Sequence, residues 1–194
     1  MKIAVFGDSF GVYDPTESNS WVALLRQRFT IMNYCQRGIS EYKVLQQIKN
    51  SNLDQFDYII ITHTSPTRIF VRNNPLHAND KMYSHCDVIY ADVENRNDDF
   101  STACKQYFKH IFDVDYALDV HNMICREINT LCQARKVLHM THFDYSNCYQ
   151  FDNMLNFYSH WLDNRGRINH YNLSGNQYVY QTVLERINHD LQVN

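Results

Sequence analysis

Residues 3–11 read Ile3-Ala4-Val5-Phe6-Gly7-Asp8-Ser9-Phe10-Gly11. A short apolar run stops abruptly at a glycine, an acid and a serine. The break predicts a buried strand over residues 3–6 that delivers Ser9 into a tight turn at its carboxyl end. In open α/β sheets, ligands bind along that edge. A serine hydroxyl is a weak nucleophile until a base activates it. The candidate base is His170, far downstream in Asn169-His170-Tyr171-Asn172-Leu173-Ser174-Gly175-Asn176.

Working outward, strands and helices alternate. Residues 20–29 open with a capping serine, Ser20, and place Val22, Leu25 and Phe29 at helical spacing. Residues 30–34 read as a second short strand, and residues 40–48 as a helix capped by Ser40. Tyr58-Ile59-Ile60-Ile61 is a continuous β-branched run, suited to a strand buried on both faces. Residues 99–135 predict two helices broken near 113–115. Residues 136–141 predict another strand, and 173–191 a terminal helix. Residues 71–100 are polar, rich in Asn and Asp, and without a period; they predict an irregular insertion or lid. Residues 145–158 are ambiguous. Strands alternating with helices imply an α/β fold with a parallel sheet covered on both faces. The loops carrying Ser9, Gly38 and Thr64 then meet at one sheet edge.

The chain has 194 residues, enough for one domain spanning 1–194 with a sizeable core. Its formal net charge is −3 and it carries no basic block, which disfavours nucleic-acid binding through phosphates. Its 14 tyrosines and 11 phenylalanines, against 5 glycines and 3 prolines, argue against disorder. Six cysteines, at 35, 86, 104, 125, 132 and 148, include no Cys-x-x-Cys pair, and so read as free, mostly buried thiols in a reducing compartment. The amino terminus shows no apolar leader, and no 18-residue apolar run occurs. The expectation is a cytoplasmic protein that does not span a membrane. Its oligomeric state is left open.

Taken together, these motifs resemble the SGNH (GDSL-like) hydrolase family over nearly the whole chain. Gly7-Asp8-Ser9 matches the family's first block. Asn33-Tyr34-Cys35-Gln36-Arg37-Gly38 resembles the second, and His170 with Gly175 matches the spacing of the last. Two blocks depart from the pattern. Thr62-His63-Thr64-Ser65 stands where the family has Gly-x-Asn-Asp, and Arg167 stands where an aspartate precedes the histidine.

The resemblance implies a three-layer α/β/α sandwich of flavodoxin-like type and a serine esterase or deacylase without a cofactor. Ser9 would be the nucleophile and His170 the base. The backbone N–H groups of Ser9 and Gly38, with Thr64 in place of the usual asparagine, would form the oxyanion hole. Asp163 and Asn164 are the candidates to replace the missing acid. Asp8, His63, Arg68 and Arg167 are candidate pocket residues, Asp8 chiefly as a holder of the turn. The expected substrate is a small ester, for which an acylated glycan is one option. The altered blocks motivate two alternatives: a catalytically silent protein that binds a ligand or partner, and an acyltransferase on the same scaffold. His139 and His142 suggest a metal, but three residues apart on a strand they face opposite sides, so none is expected.

Overall fold

The computed structural model describes residues 1–12, 19–77, 79, 83, 85–166 and 170–192. Five strands form one all-parallel sheet: β1 (Lys2–Gly7), β2 (Thr30–Asn33), β3 (Tyr58–His63), β4 (Val137–Thr141) and β5 (Met154–Asn156). Their order is β2-β1-β3-β4-β5. The chain leaves β1 toward one neighbour, β2, and returns on the other side as β3. This reversal opens a crevice beyond the carboxyl ends of β1 and β3, where ligands bind in sheets of this kind.

Alternation along the strands sorts the core into two layers. Ile3, Val5, Tyr58, Ile60, Leu138 and Met140 face α1 (Trp21–Arg26) and α7 (Leu173–Gln192), and meet Trp21, Val22, Leu25, Val179, Val183 and Ile187. Ala4, Phe6, Ile59 and Ile61 face α2 (Glu41–Lys49) and α5 (Val114–Cys132), and meet Val44, Leu45, Ile48, Ile128 and Cys132. The result is the expected three-layer α/β/α sandwich. All six cysteines are free thiols. Among the described residues, no helix is long and apolar enough to cross a membrane.

Local chemistry accounts for the helix starts. Ser20 caps α1 by accepting from the Ala23 N–H, and Asp113 caps α5 by accepting from the Tyr116 N–H. Ser40 occupies the cap position of α2, but its hydroxyl makes no cap bond. Its own N–H donates instead to Asp87.

That buried Asp87 organises much of the segment read as irregular. Its carboxylate also accepts from the Val71 N–H and pairs with Lys43. Its N–H donates to the Gly38 carbonyl. The described residues of 71–100 are therefore anchored to the turn after β2, with an Ile69–Val88 antiparallel bridge and a short helix, α3 (Tyr90–Val93). Helix α4 (Asp99–His110) follows. The ambiguous stretch 145–158 contains β5, whose three residues are too few to show a period, and α6 (Tyr158–Asp163) begins at its end.

β1 ends at Gly7 because only glycine fits there. Its φ is +135°, and a Cβ would lie 2.0 Å from Thr62 Oγ1. Gly7→Ala is expected to lower the unfolding free energy by about 2–4 kcal/mol, from backbone strain and overpacking together. Urea denaturation checks this; a variant as stable as the wild type would show that the two strands can part without cost.

Candidate active site

Ser9 lies immediately after β1, at the head of a 3-10 turn, Ser9–Gly11. Asp8 sets that turn by accepting from the Phe10 N–H at 3.0 Å, which leaves Ser9 free of the capping role its position suggests. The turn is fastened to α1, since the Trp21 indole donates to the Phe10 carbonyl at 2.7 Å. The Phe10 ring anchors the opposite wall. It stacks on His142 with centroids 4.3 Å apart, and its edges meet His170 at 5.5 Å and Tyr171 at 5.6 Å.

The segment carrying His170 is held from the α7 side. Asn176 reaches across the cleft. Its amide nitrogen donates to the carbonyls of Tyr171 and Asn172, and its oxygen accepts from the Trp21 N–H. Gly175 owes its identity to crowding, because a Cβ there would lie 2.8 Å from the Tyr171 ring and 2.9 Å from Asn164. Ser9 and His170 consequently line one narrow cleft, with Phe10, Val12, Ser20, Arg37, Tyr171 and Asn176. No hydrogen bond among the described residues joins Ser9 Oγ to the imidazole. Such bonds are often open in an unliganded site and tighten with substrate.

The N–H groups of Ser9 and Gly38 have no acceptor among the described residues. Gly38 has φ +64°, and a Cβ would press on Cys86 Sγ at 2.8 Å. Gly38, like Thr64, is not itself among the residues lining the cleft, but its neighbour Arg37 is. Thr64 does not stand where an oxyanion-hole donor is needed. It is fully buried and outside the cleft lining, its N–H donates to Glu41 Oε2, and its hydroxyl lies near Asp8 without a partner at bonding distance. Burial pushes Asp8 up to about 7, opposed by the Phe10 N–H and by Arg68.

The two candidate replacement acids are not alike. Asp163 is exposed at the end of α6. The Asn164 amide is engaged with the His160 carbonyl and with the Ser174 hydroxyl, tying α6 to α7. Arg167 lies outside the described residues.

His63 does not reach the cleft. It points to the opposite face of the sheet, into a buried polar chain that sequence reading missed. Glu41 Oε1 accepts from His63 Nδ1 at 2.7 Å, and His63 Nε2 shares a hydrogen bond with His139 Nδ1 at 2.9 Å. Phe151 stacks on His139 at 3.7 Å and on His63 at 4.5 Å. Beside them, His121 Nε2 and Cys125 Sγ both meet the Tyr145 hydroxyl. Burial pushes the Glu41 carboxyl upward, yet the charge and hydrogen bond of His63, with His121 and the Thr64 N–H, outweigh it and hold Glu41 below its ordinary value. Glu41, His63 and Cys125 offer donor atoms within 4.8 Å of one another. Both Glu41 oxygens and both His63 nitrogens are already bonded within the protein, so this cluster is satisfied without an ion. His139 and His142 face opposite sides of the sheet, the latter bonded to the Tyr171 hydroxyl.

These buried imidazoles make stability depend on pH. Burial lowers His121 to about 4, His142 to about 3 and His139 well below its ordinary 6.5. Below pH 6.5 the unfolded chain takes up protons that the fold refuses, so acidification destabilises the fold. Asp8 acts in the opposite sense, because its folded form keeps a proton up to about pH 7. Each proton of difference is worth about 1.4 kcal/mol per pH unit. With three histidines against one aspartate, the unfolding free energy is expected to fall between pH 6.5 and 4.5, less steeply in His142→Phe. A flat or rising profile in urea titrations would contradict this assignment.

No protein-family model and no curated protein sequence matches the chain, so the functional reading rests on this geometry and on the motifs that resemble the SGNH pattern.

Proposed function

We propose that this protein is a serine esterase or deacylase of SGNH type that cleaves a small ester, with O-acyl carbohydrate in its range. The observation that carries the reading is the shared cleft. Ser9, from the first strand, and His170, from the segment before the last helix, line the same opening. Two backbone N–H groups without an acceptor among the described residues, those of Ser9 and Gly38, belong to the same sheet edge.

In the proposed reaction, Ser9 Oγ attacks the acyl carbonyl while its proton passes to His170. The tetrahedral oxyanion accepts from the Ser9 and Gly38 N–H groups. As the carbonyl reforms, the bond to the leaving alkoxide breaks and His170 returns the proton to it. A water, deprotonated by His170, then releases the acid and regenerates Ser9. The cleft is small, about 20 Å³, so the bulk of any substrate would extend outward from it. With Thr64 withdrawn, the hole has two donors from these blocks rather than three. Loss of one donor ordinarily lowers the rate by about 10²–10³, so a slow enzyme is expected.

A small fluorophosphonate tests the nucleophile directly. The wild type is expected to gain one adduct by intact-mass spectrometry, Ser9→Ala none, and His170→Ala an adduct at a rate lower by about 10²–10⁴. Folded wild-type protein that stays unlabelled would overturn the enzyme reading in favour of a ligand-binding protein on the same scaffold.

A further inference from the structure

We infer that the protein has a second small-molecule site, on the α2/α5 side of the sheet, that takes an amphipathic carboxylate. The site is a pocket of about 330 Å³ between the start of α2, the loop after β3 and the α4–α5 corner. It shares no lining residue with the Ser9–His170 cleft. The inference does not rest on the proposed hydrolase activity, although Arg68 Nη1 lies close to Gly38.

The walls are mostly apolar. Tyr42, Phe70, Tyr107, Phe112, Tyr116 and Ile124 contribute to them. Ile111 and Tyr116, each 70% exposed, stand at the α4–α5 corner that forms one side of the pocket. Large apolar side chains left in water around a pocket of this size are the usual setting for an apolar ligand body.

The polar end is built around Arg68. Its side chain is only 12% exposed. Nη1 donates to the Asp87 carbonyl and forms an ion pair with Asp92 at 3.6 Å, which leaves the other nitrogens of the fork for a ligand. Nε is buried without a partner, and Nη2 has no acceptor among the described residues. Ser40 also lines the pocket; it is only 3% exposed, and its hydroxyl, enclosed behind the lining, has no partner among the described residues. Buried donors without acceptors are costly, and a guanidinium matches a planar carboxylate in particular.

The two acids in the lining do not compete for Arg68. Glu41 spends its oxygens on His63 and the Thr64 N–H, and Asp113 caps α5. The remaining polar neighbours are consistent with this. His121 is held neutral by burial, and Ser65 and Thr67 bond to each other.

Isothermal titration with octanoate, octanol and octylammonium tests charge selection on one apolar body, and 4-phenylbutyrate tests a ring in place of the chain. Octanoate or 4-phenylbutyrate is expected to bind about tenfold more tightly than octanol, the value of a charge-assisted hydrogen bond. Arg68→Gln is expected to remove that advantage. Ala117→Trp, which fills the pocket wall, is expected to abolish binding of every probe while leaving the fluorophosphonate reaction of Ser9 as it is in the wild type. Equal affinity for octanoate and octanol, tighter binding of octylammonium, or no saturable binding of any probe would each overturn the inference. Should Arg68→Gln fail to fold, the three-probe comparison on the wild type decides by itself.

Discussion

The close approach of β1 and β3 at their carboxyl ends is the constraint on which the rest depends. Gly7 pairs with Thr62 there, and the missing side chain lets the strands stay in register up to the point where each must turn away. From that point β1 leads to Ser9 and β3 leads to Thr64 and Arg68. Both candidate regions are therefore extensions of one tight contact. Any widening at Gly7 would move Ser9 relative to the loop that carries Arg68.

The sheet divides the polar groups into two chemically different sets. On the α1/α7 side, aromatic rings dominate. His142 is sandwiched between Phe10 and Phe157, and Tyr171 gives it a single hydrogen bond. On the α2/α5 side, a carboxylate, three histidines, a tyrosine and a thiol are joined in hydrogen-bonded groups beneath the larger pocket. Buried charge is expensive unless paired. Glu41 is tolerated because His63 and the Thr64 N–H both serve it. This also explains why Thr64 is drawn away from the cleft: its amide is needed to satisfy Glu41.

The order of elements was legible in the sequence because apolar runs and capping residues signal strands and helix starts locally. That Ser9 and His170 would meet in one cleft was legible for the same reason, since each belongs to a short motif beside an element end. The organisation of residues 71–100 was not, because it hangs on Asp87, whose partners Ser40, Val71 and Lys43 are distant in sequence. The Glu41–His63–His139 chain was hidden likewise. Its one available signal was a pair of histidines on the same face of two otherwise apolar strands, where leucine or isoleucine would be the ordinary choice. The pattern does not reveal that β3 and β4 are neighbours, so the two imidazoles remain unrelated until the strands pair.

Asn176 also has a consequence for how the protein comes into being. Its side chain joins the beginning of α1 to the beginning of α7, and so links segments 155 residues apart in the chain. A chain emerging from the ribosome presents Ser9 long before Asn176 and His170 exist. The wall of the cleft opposite the serine therefore cannot be built during elongation, and the Phe10 and Trp21 surfaces that α7 will cover stay without it until the last helix docks. Ser9 is thus made first and the cleft around it is completed last, so a chain cut short before His170 would hold the serine without His170 and Asn176 beside it.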